Sequence, residues 1–99
     1  IGSMELNQAA ESFNALSQPS RLAIVSLLGQ VGSAGARPSD MAATLRLPAN
    51  TLSFHLRQLR HAGLVTEERS GRDRIYRANL SALQQLILYL DEASSRPST

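Results

Sequence analysis

The 99 residues carry ten arginines, no lysine, eight acids and no cysteine, giving a net charge of +2 with 42% hydrophobic side chains. That length and apolar content fit one small globular domain, and its modest capacity to bury surface favours self-association through a spare apolar face. The missing cysteine excludes disulfides, thiolate metal sites, cysteine nucleophiles and thiol-based redox sensing, and no apolar run approaches the roughly 20 residues of a membrane helix, so a cytoplasmic location is expected.

Ile1, Gly2 and Ser3 precede Met4 and read as an expression-tag remnant, leaving residues 4–93 as a single domain. From Glu5 to Leu16, Leu6, Ala9, Ala10, Phe13 and Leu16 recur at three- and four-residue steps, the period of a first amphipathic helix. Ser17 and Gln18 lead into Pro19, which suits the first turn of a second helix because its missing N–H would be unpaired there anyway. Leu22, Ile24, Val25, Leu27 and Leu28 make this helix nearly apolar all round, which predicts the buried centre of the domain.

Gly29, Gly32 and Gly35 punctuate a stretch of small residues, so the chain turns between Val31 and Arg37, with room for a short extended piece. Pro38 starts a third helix, with Asp40 in its first turn complementing the helix dipole, and Leu47 and Pro48 end it. A fourth helix follows, from about Ala49 to Ala62, and Gly63 is suited to leaving it in the left-handed conformation. Two helices joined by about three residues make a helix-turn-helix. Leu64 to Glu67 read as a strand, Ser70 to Asp73 as a turn, and Ile75 to Arg77 as the returning strand of a hairpin. Ser81 can cap a last helix striped by Leu83, Leu86, Ile87 and Leu90, and residues 94–99 form a polar tail expected to be disordered. The fold class is therefore mainly α with a small β-hairpin, a winged helix-turn-helix of order α-α-(short β)-α-α-β-β-α.

Charge is unevenly spread. Between Asn50 and Asn79, six arginines (57, 60, 69, 72, 74 and 77) face Glu67, Glu68 and Asp73, a net +3, while the rest of the chain is −1. A basic third of the chain is the electrostatic footprint that nucleic acid demands, although a solvated surface gives the same count. On a wheel at about 100° per residue, Leu52, Leu56 and Leu59 fall within about 60° of one another and anchor the fourth helix. Asn50, Thr51, Ser53, Phe54 and Arg57 then face outward, with His61 further along. Arginine grips guanine, asparagine grips adenine, hydroxyls bond several bases, and a phenyl ring meets the thymine methyl, so these five are the candidate base contacts. Arg60, Arg69, Arg72 and Arg74 are the candidate backbone and wing contacts, Arg72 leading at the turn; alternation along a strand keeps the wing arginines from all facing one way.

Leu16-Ser17-Gln18-Pro19-Ser20-Arg21-Leu22-Ala23-Ile24, then Thr51-Leu52-Ser53-Phe54-His55-Leu56 with Leu59 and Ala62-Gly63-Leu64-Val65, then Arg69-Ser70-Gly71-Arg72 with Tyr76, stand in this order along the chain. Together they resemble the signatures of the arsenic-repressor (ArsR/SmtB-type) regulators from Met4 to Ala93. One departure is Gln18, where the family more often has an acid before the proline. The resemblance implies a symmetric homodimer built from the first and last helices, with Leu6, Ala9, Phe13, Leu83, Leu86, Ile87 and Leu90 at its interface. It also implies double-stranded DNA with an inverted-repeat operator as partner, and repression until an inducer arrives.

The family's metal sites are not matched. Where many relatives carry two cysteines at the start of the third helix, this chain has Arg37 and Ser39. On the last helix it offers only Asp91 and Glu92, adjacent residues that point about 100° apart and chelate poorly. His55 lies beside the apolar stripe, where packing suits it better than ligation, and His61 is about 120° around the same helix. No metal and no cofactor are expected, and any signal falls to an organic ligand, a protein partner or simple expression control. A nucleophile beside a base, a carboxylate pair or a phosphate loop is not readable, so an enzyme is not expected. The competing function is a winged-helix module that presents Phe54 and the arginines to another protein.

Overall fold

The computed structural model describes residues 4–95. Residues 1–3, and the tail beyond Ser95, lie outside them. Five helices and one antiparallel hairpin follow in the order α1 (Leu6–Leu16), α2 (Pro19–Val31), α3 (Pro38–Leu45), α4 (Ala49–His61), β1 (Val65–Ser70), β2 (Asp73–Ala78) and α5 (Leu80–Ser94). This is the winged helix-turn-helix class expected from the sequence. Ser94, assigned to the tail on polarity alone, is the last residue of α5.

Pro19 opens α2, and the side chain of Gln18 accepts the Arg21 N–H at 3.1 Å, satisfying one of the amides that a helix start leaves free. The helix packs against α1, α3, α4 and β2, and Ile24, Val25 and Leu28 are fully inside. Leu22, however, is 52% exposed. A helix whose apolar residues surround its axis gives no phase, so the sequence cannot say which of them is left out.

Gly32 and Gly35 both adopt positive φ, at 66° and 69°, around a single 3₁₀ turn. The turn swings the chain beneath the hairpin, where Ala36 exchanges two backbone hydrogen bonds with Tyr76, each 2.9 Å. The short extended piece is thus a one-residue bridge rather than a strand. It fixes the hairpin to the segment that leads into α3.

α3 ends at Leu45, two residues earlier than the Leu47-Pro48 stop suggests. Arg46 takes the left-handed conformation (φ 56°, ψ 45°), and its N–H and that of Leu47 both turn back to the Ala42 carbonyl. The three residues Arg46 to Pro48 make the turn into α4. At the other end of α4, Gly63 (φ 79°) releases the chain, and Leu64 N–H closes on Leu59 at 2.9 Å.

The hairpin turns over Ser70 to Asp73, as the sequence predicts. Ser70 pairs with Asp73, leaving Gly71 and Arg72 as a two-residue loop in which Gly71 supplies φ 64°. The register sets Glu67 opposite Tyr76 and Arg69 opposite Arg74. Asn79, not Ser81, caps α5. Its Oδ1 accepts the Ala82 N–H at 3.2 Å while its Nδ2 donates to the Gly63 carbonyl at 2.9 Å, so one side chain both starts α5 and ties it to the exit of α4.

Candidate nucleic-acid interface

The apolar stripe of α4 is where its periodicity puts it: Leu52, Leu56 and Leu59 are each at most 2% exposed. His55 joins them at 7%, and its Nδ1 lies 3.3 Å from Arg21 Nη1, whose Nε in turn donates to the Ala15 carbonyl at 2.7 Å. The guanidinium can only donate, so the imidazole accepts as a neutral ring. Burial, reinforced by the Arg21 charge, holds the His55 pKa below its ordinary value. His55 is therefore a packing residue that joins α4 to α2.

With that face inside, Asn50, Ser53, Phe54 and Arg57 are exposed and Thr51 is half-buried. Phe54 is 48% exposed, its ring edge-on to His55 at 5.6 Å between centroids. Asn50 has a second occupation. Pro48 stands at the N-cap and offers no side-chain acceptor, and Asn50 Oδ1 accepts the Thr51 N–H at 2.9 Å instead.

The wing sorts the arginines into two groups. Arg60 and Arg74 reach Glu67, at 3.2 and 3.4 Å; Arg77 reaches Glu68 at 2.6 Å and the Ser33 carbonyl at 2.7 Å; Arg37 reaches Asp73 at 3.2 Å. Arg57, Arg69 and Arg72 make no ion pair or side-chain hydrogen bond among the described residues. Of the backbone and wing candidates, then, Arg69 and Arg72 are free while Arg60 and Arg74 are held. Ser53, Arg57, Arg60 and Arg74 converge on a cleft of about 100 Å³ between α4 and the wing. Glu67 is the residue that the sequence did not single out. The Tyr76 hydroxyl donates to it at 2.9 Å, and this bond, with the nearby arginines, keeps its carboxyl below the usual carboxylate range. Burial and the same bond push the Tyr76 phenol up.

Of the residues expected at a dimer interface, Leu6, Ile87 and Leu90 are exposed, Phe13 and Leu83 are partly buried, and Ala9 and Leu86 lie inside the protomer at 2% and 4% exposure. Leu80 and Leu88 add to the open apolar surface of α5. Among the described residues, no three His, Asp or Glu side chains gather as a metal site would require. No helix there is long and apolar enough to cross a membrane.

A family model for the helix-turn-helix domain matches residues 16–68. The transcriptional repressor SmtB of Mycobacterium tuberculosis is 36% identical over 83 residues, covering 84% of this chain, and the chain spans 59% of that protein's length. The regulator NmtR of the same organism is 34% identical over 93 residues, covering 94% of this chain and 72% of that protein. Among solved structures, an ArsR-like transcriptional regulator from Rhodococcus sp. RHA1 superposes with a TM-score of 0.79 at 29% identity, over 90% of this chain and 81% of that one. With a recognition-type helix, a wing and these relatives in agreement, the chain belongs to the ArsR/SmtB-type winged helix-turn-helix regulators.

Proposed function

We infer that the chain is a sequence-specific DNA-binding transcriptional regulator that acts in the cytoplasm as a homodimeric repressor and is not an enzyme. The observation that carries this reading is the exposed face of α4, with Asn50, Thr51, Ser53, Phe54 and Arg57, set beside a hairpin whose Arg69 and Arg72 have no side-chain partner among the described residues. In a helix-turn-helix the early residues of the second helix approach base edges while other elements hold the phosphates. Arg57 then reads guanine, Phe54 meets a thymine methyl, and Asn50 reads a base edge once it gives up the Thr51 N–H. Arg60, Arg69, Arg72 and Arg74 serve the backbone.

A second copy supports both the fold and the reading. Leu6, Ile87, Leu88 and Leu90 present apolar surface on α1 and α5, which pack together. A two-fold dimer through these helices sets two copies of α4 against two half-sites of an inverted repeat about one DNA turn apart. Arg37 and Ser39 at the start of α3, and the adjacent Asp91 and Glu92 on α5, are poor metal ligands, which supports release from DNA by an organic ligand or a protein partner.

The test is capture and sequencing of genomic fragments bound by the chain, followed by titration of the recovered duplex at several salt concentrations. A shared inverted repeat whose affinity falls steeply with salt is the expected result, because phosphate contacts release counterions. Binding that ignores salt, or no binding to any fragment, would instead favour a winged-helix module that presents Phe54 to a protein.

A further inference from the structure

Glu67 sits where two DNA-facing elements meet. Its side chain is 11% exposed, whereas the arginines that it holds, Arg60 on α4 and Arg74 on β2, are 48% and 47% exposed. Oε1 faces Arg60 Nη1 at 3.2 Å; Oε2 faces Arg74 Nη1 at 3.4 Å and accepts the Tyr76 hydroxyl at 2.9 Å. The hairpin register explains the arrangement, with Tyr76 directly opposite Glu67 and Arg74 one diagonal step away. Directly opposite Arg74 stands Arg69, a like-charge pair that a cross-strand position does not favour. A single carboxylate thus lies among the guanidinium groups of Arg60, Arg74 and Arg69, and its partners Arg60, Arg74 and Tyr76 line the cleft between α4 and the wing together with Ser53 and Arg57. A fold tie alone needs one arginine. Here the carboxylate engages one from the helix and one from the wing, and the exposed sides of both remain open to solvent.

We propose that Glu67 is an internal counter-ion that takes the place of a DNA phosphate for Arg60 and Arg74 in the free protein and so restrains sequence-independent binding. The proposal rests on the DNA-binding reading above. Non-specific affinity is almost wholly electrostatic and scales with the number of phosphates that a protein neutralises. Glu67 cancels one positive charge within the footprint, and a phosphate that engages Arg60 or Arg74 must displace or share it. The base-reading residues of α4 are not held by Glu67, which lies on β1 and among the described residues bonds Arg60, Arg74 and Tyr76.

The experiment compares wild type with Glu67→Gln, which keeps an acceptor for Tyr76 and removes the charge, on a duplex unrelated to the operator. The log-log salt slope is expected to steepen by about one unit per protomer, and affinity at about 0.1 M salt to rise on the order of tenfold per protomer. Circular dichroism and a thermal melt establish that the variant is folded. An unchanged slope and affinity, with wild type still binding DNA, overturns the proposal and leaves the DNA reading intact; weaker binding by a folded variant overturns it too, since Glu67 would then be positioning the arginines for DNA. Failure of wild type to bind any duplex refutes the DNA reading itself. Should Glu67→Gln not fold, the Nε–Hε resonances of Arg60 and Arg74 in wild type decide the matter. Both shift on addition of the unrelated duplex if phosphate replaces carboxylate, and resonances that stay in place overturn the proposal.

Discussion

Gly35→Ala tests how the wing is fastened to the helix-turn-helix. A Cβ at Gly35 meets Ile75 Cγ2 at 2.5 Å, the Tyr76 carbonyl oxygen at 2.8 Å and Arg77 Cγ at 3.0 Å, and the backbone there has φ +69°. With ψ −173° this backbone lies outside the left-handed helical well, in a region essentially reserved for glycine, and costs an L-residue about 1–3 kcal/mol, of which about 0.4–1 is offset by the reduced freedom of the unfolded chain. The crowding adds about 1–3 kcal/mol, because the carbonyl that blocks the new methyl accepts the Ala36 N–H and cannot retreat without breaking that bond. Gly63→Ala supplies the control: its φ is +79° and nothing lies within 4 Å of the added carbon, so only the backbone cost remains. Urea unfolding at one fixed protomer concentration should therefore show losses of about 3 kcal/mol for Gly35→Ala against about 1 kcal/mol for Gly63→Ala. In a domain of this size that is a drop of roughly 12–24 °C against 4–8 °C. Equal losses for the two variants would falsify the claim that contact with β2, rather than backbone geometry, makes Gly35 necessary.

Four further outcomes follow from the same geometry. Arg57→Ala should cost about 1–3 kcal/mol on the operator and relax base preference, whereas Arg72→Ala should weaken all duplexes alike and flatten the salt slope by about one unit; equal effects of both on matched and mismatched operators would contradict that division. Ile87→Glu places a charge on the exposed face of α5 and should yield folded monomers by analytical ultracentrifugation, with persistence of the dimer as the contrary result. Leu86→Ala, in the core, should cost about 2–5 kcal/mol in urea through the cavity left behind, and a loss below about 1 kcal/mol would place Leu86 outside the core. For His55, burial and Arg21 lower the folded-state pKa, so below the ordinary value of 6.5 the unfolded chain binds the proton more readily. The stability it contributes is fully present above pH 6.5 and is lost as pH falls below it; urea midpoints for wild type and His55→Gln should converge towards acid, and parallel pH profiles would remove His55 from the account.

How much of this was legible in the sequence depends on whether the deciding neighbour is local. α4 was readable because Leu52, Leu56 and Leu59 repeat at helical spacing and leave one polar face. α2 was readable as a helix but not as oriented, since apolar residues on every side make Leu22 indistinguishable from Ile24. Either Asn79 or Ser81 is an acceptable cap. What chose Asn79 is a carbonyl sixteen residues away at Gly63, invisible to any local rule. The dimer stripe divides for the same reason: Leu86 turns into the protomer and Ile87 away from it, and only packing against α1 sets that phase.

Glu67 shows the same limit in the candidate site and sharpens the reading of charge. The hairpin register alone brings Glu67, Tyr76 and Arg74 together, but Arg60 comes from α4 and arrives only with the tertiary fold. In the sequence all six arginines between Asn50 and Asn79 weigh equally toward a net +3. In the structure Arg60 and Arg74 share the one carboxylate of Glu67 and Arg77 pairs with Glu68, so among the described residues the arginines of this stretch without a carboxylate partner are Arg57 at the centre of α4 and Arg69 and Arg72 at the wing. At about 0.9 counterions per phosphate met, three free arginines give a non-specific salt slope of about 3 per protomer. A slope well below 3 would mean that these three arginines do not carry the non-specific contact with phosphate.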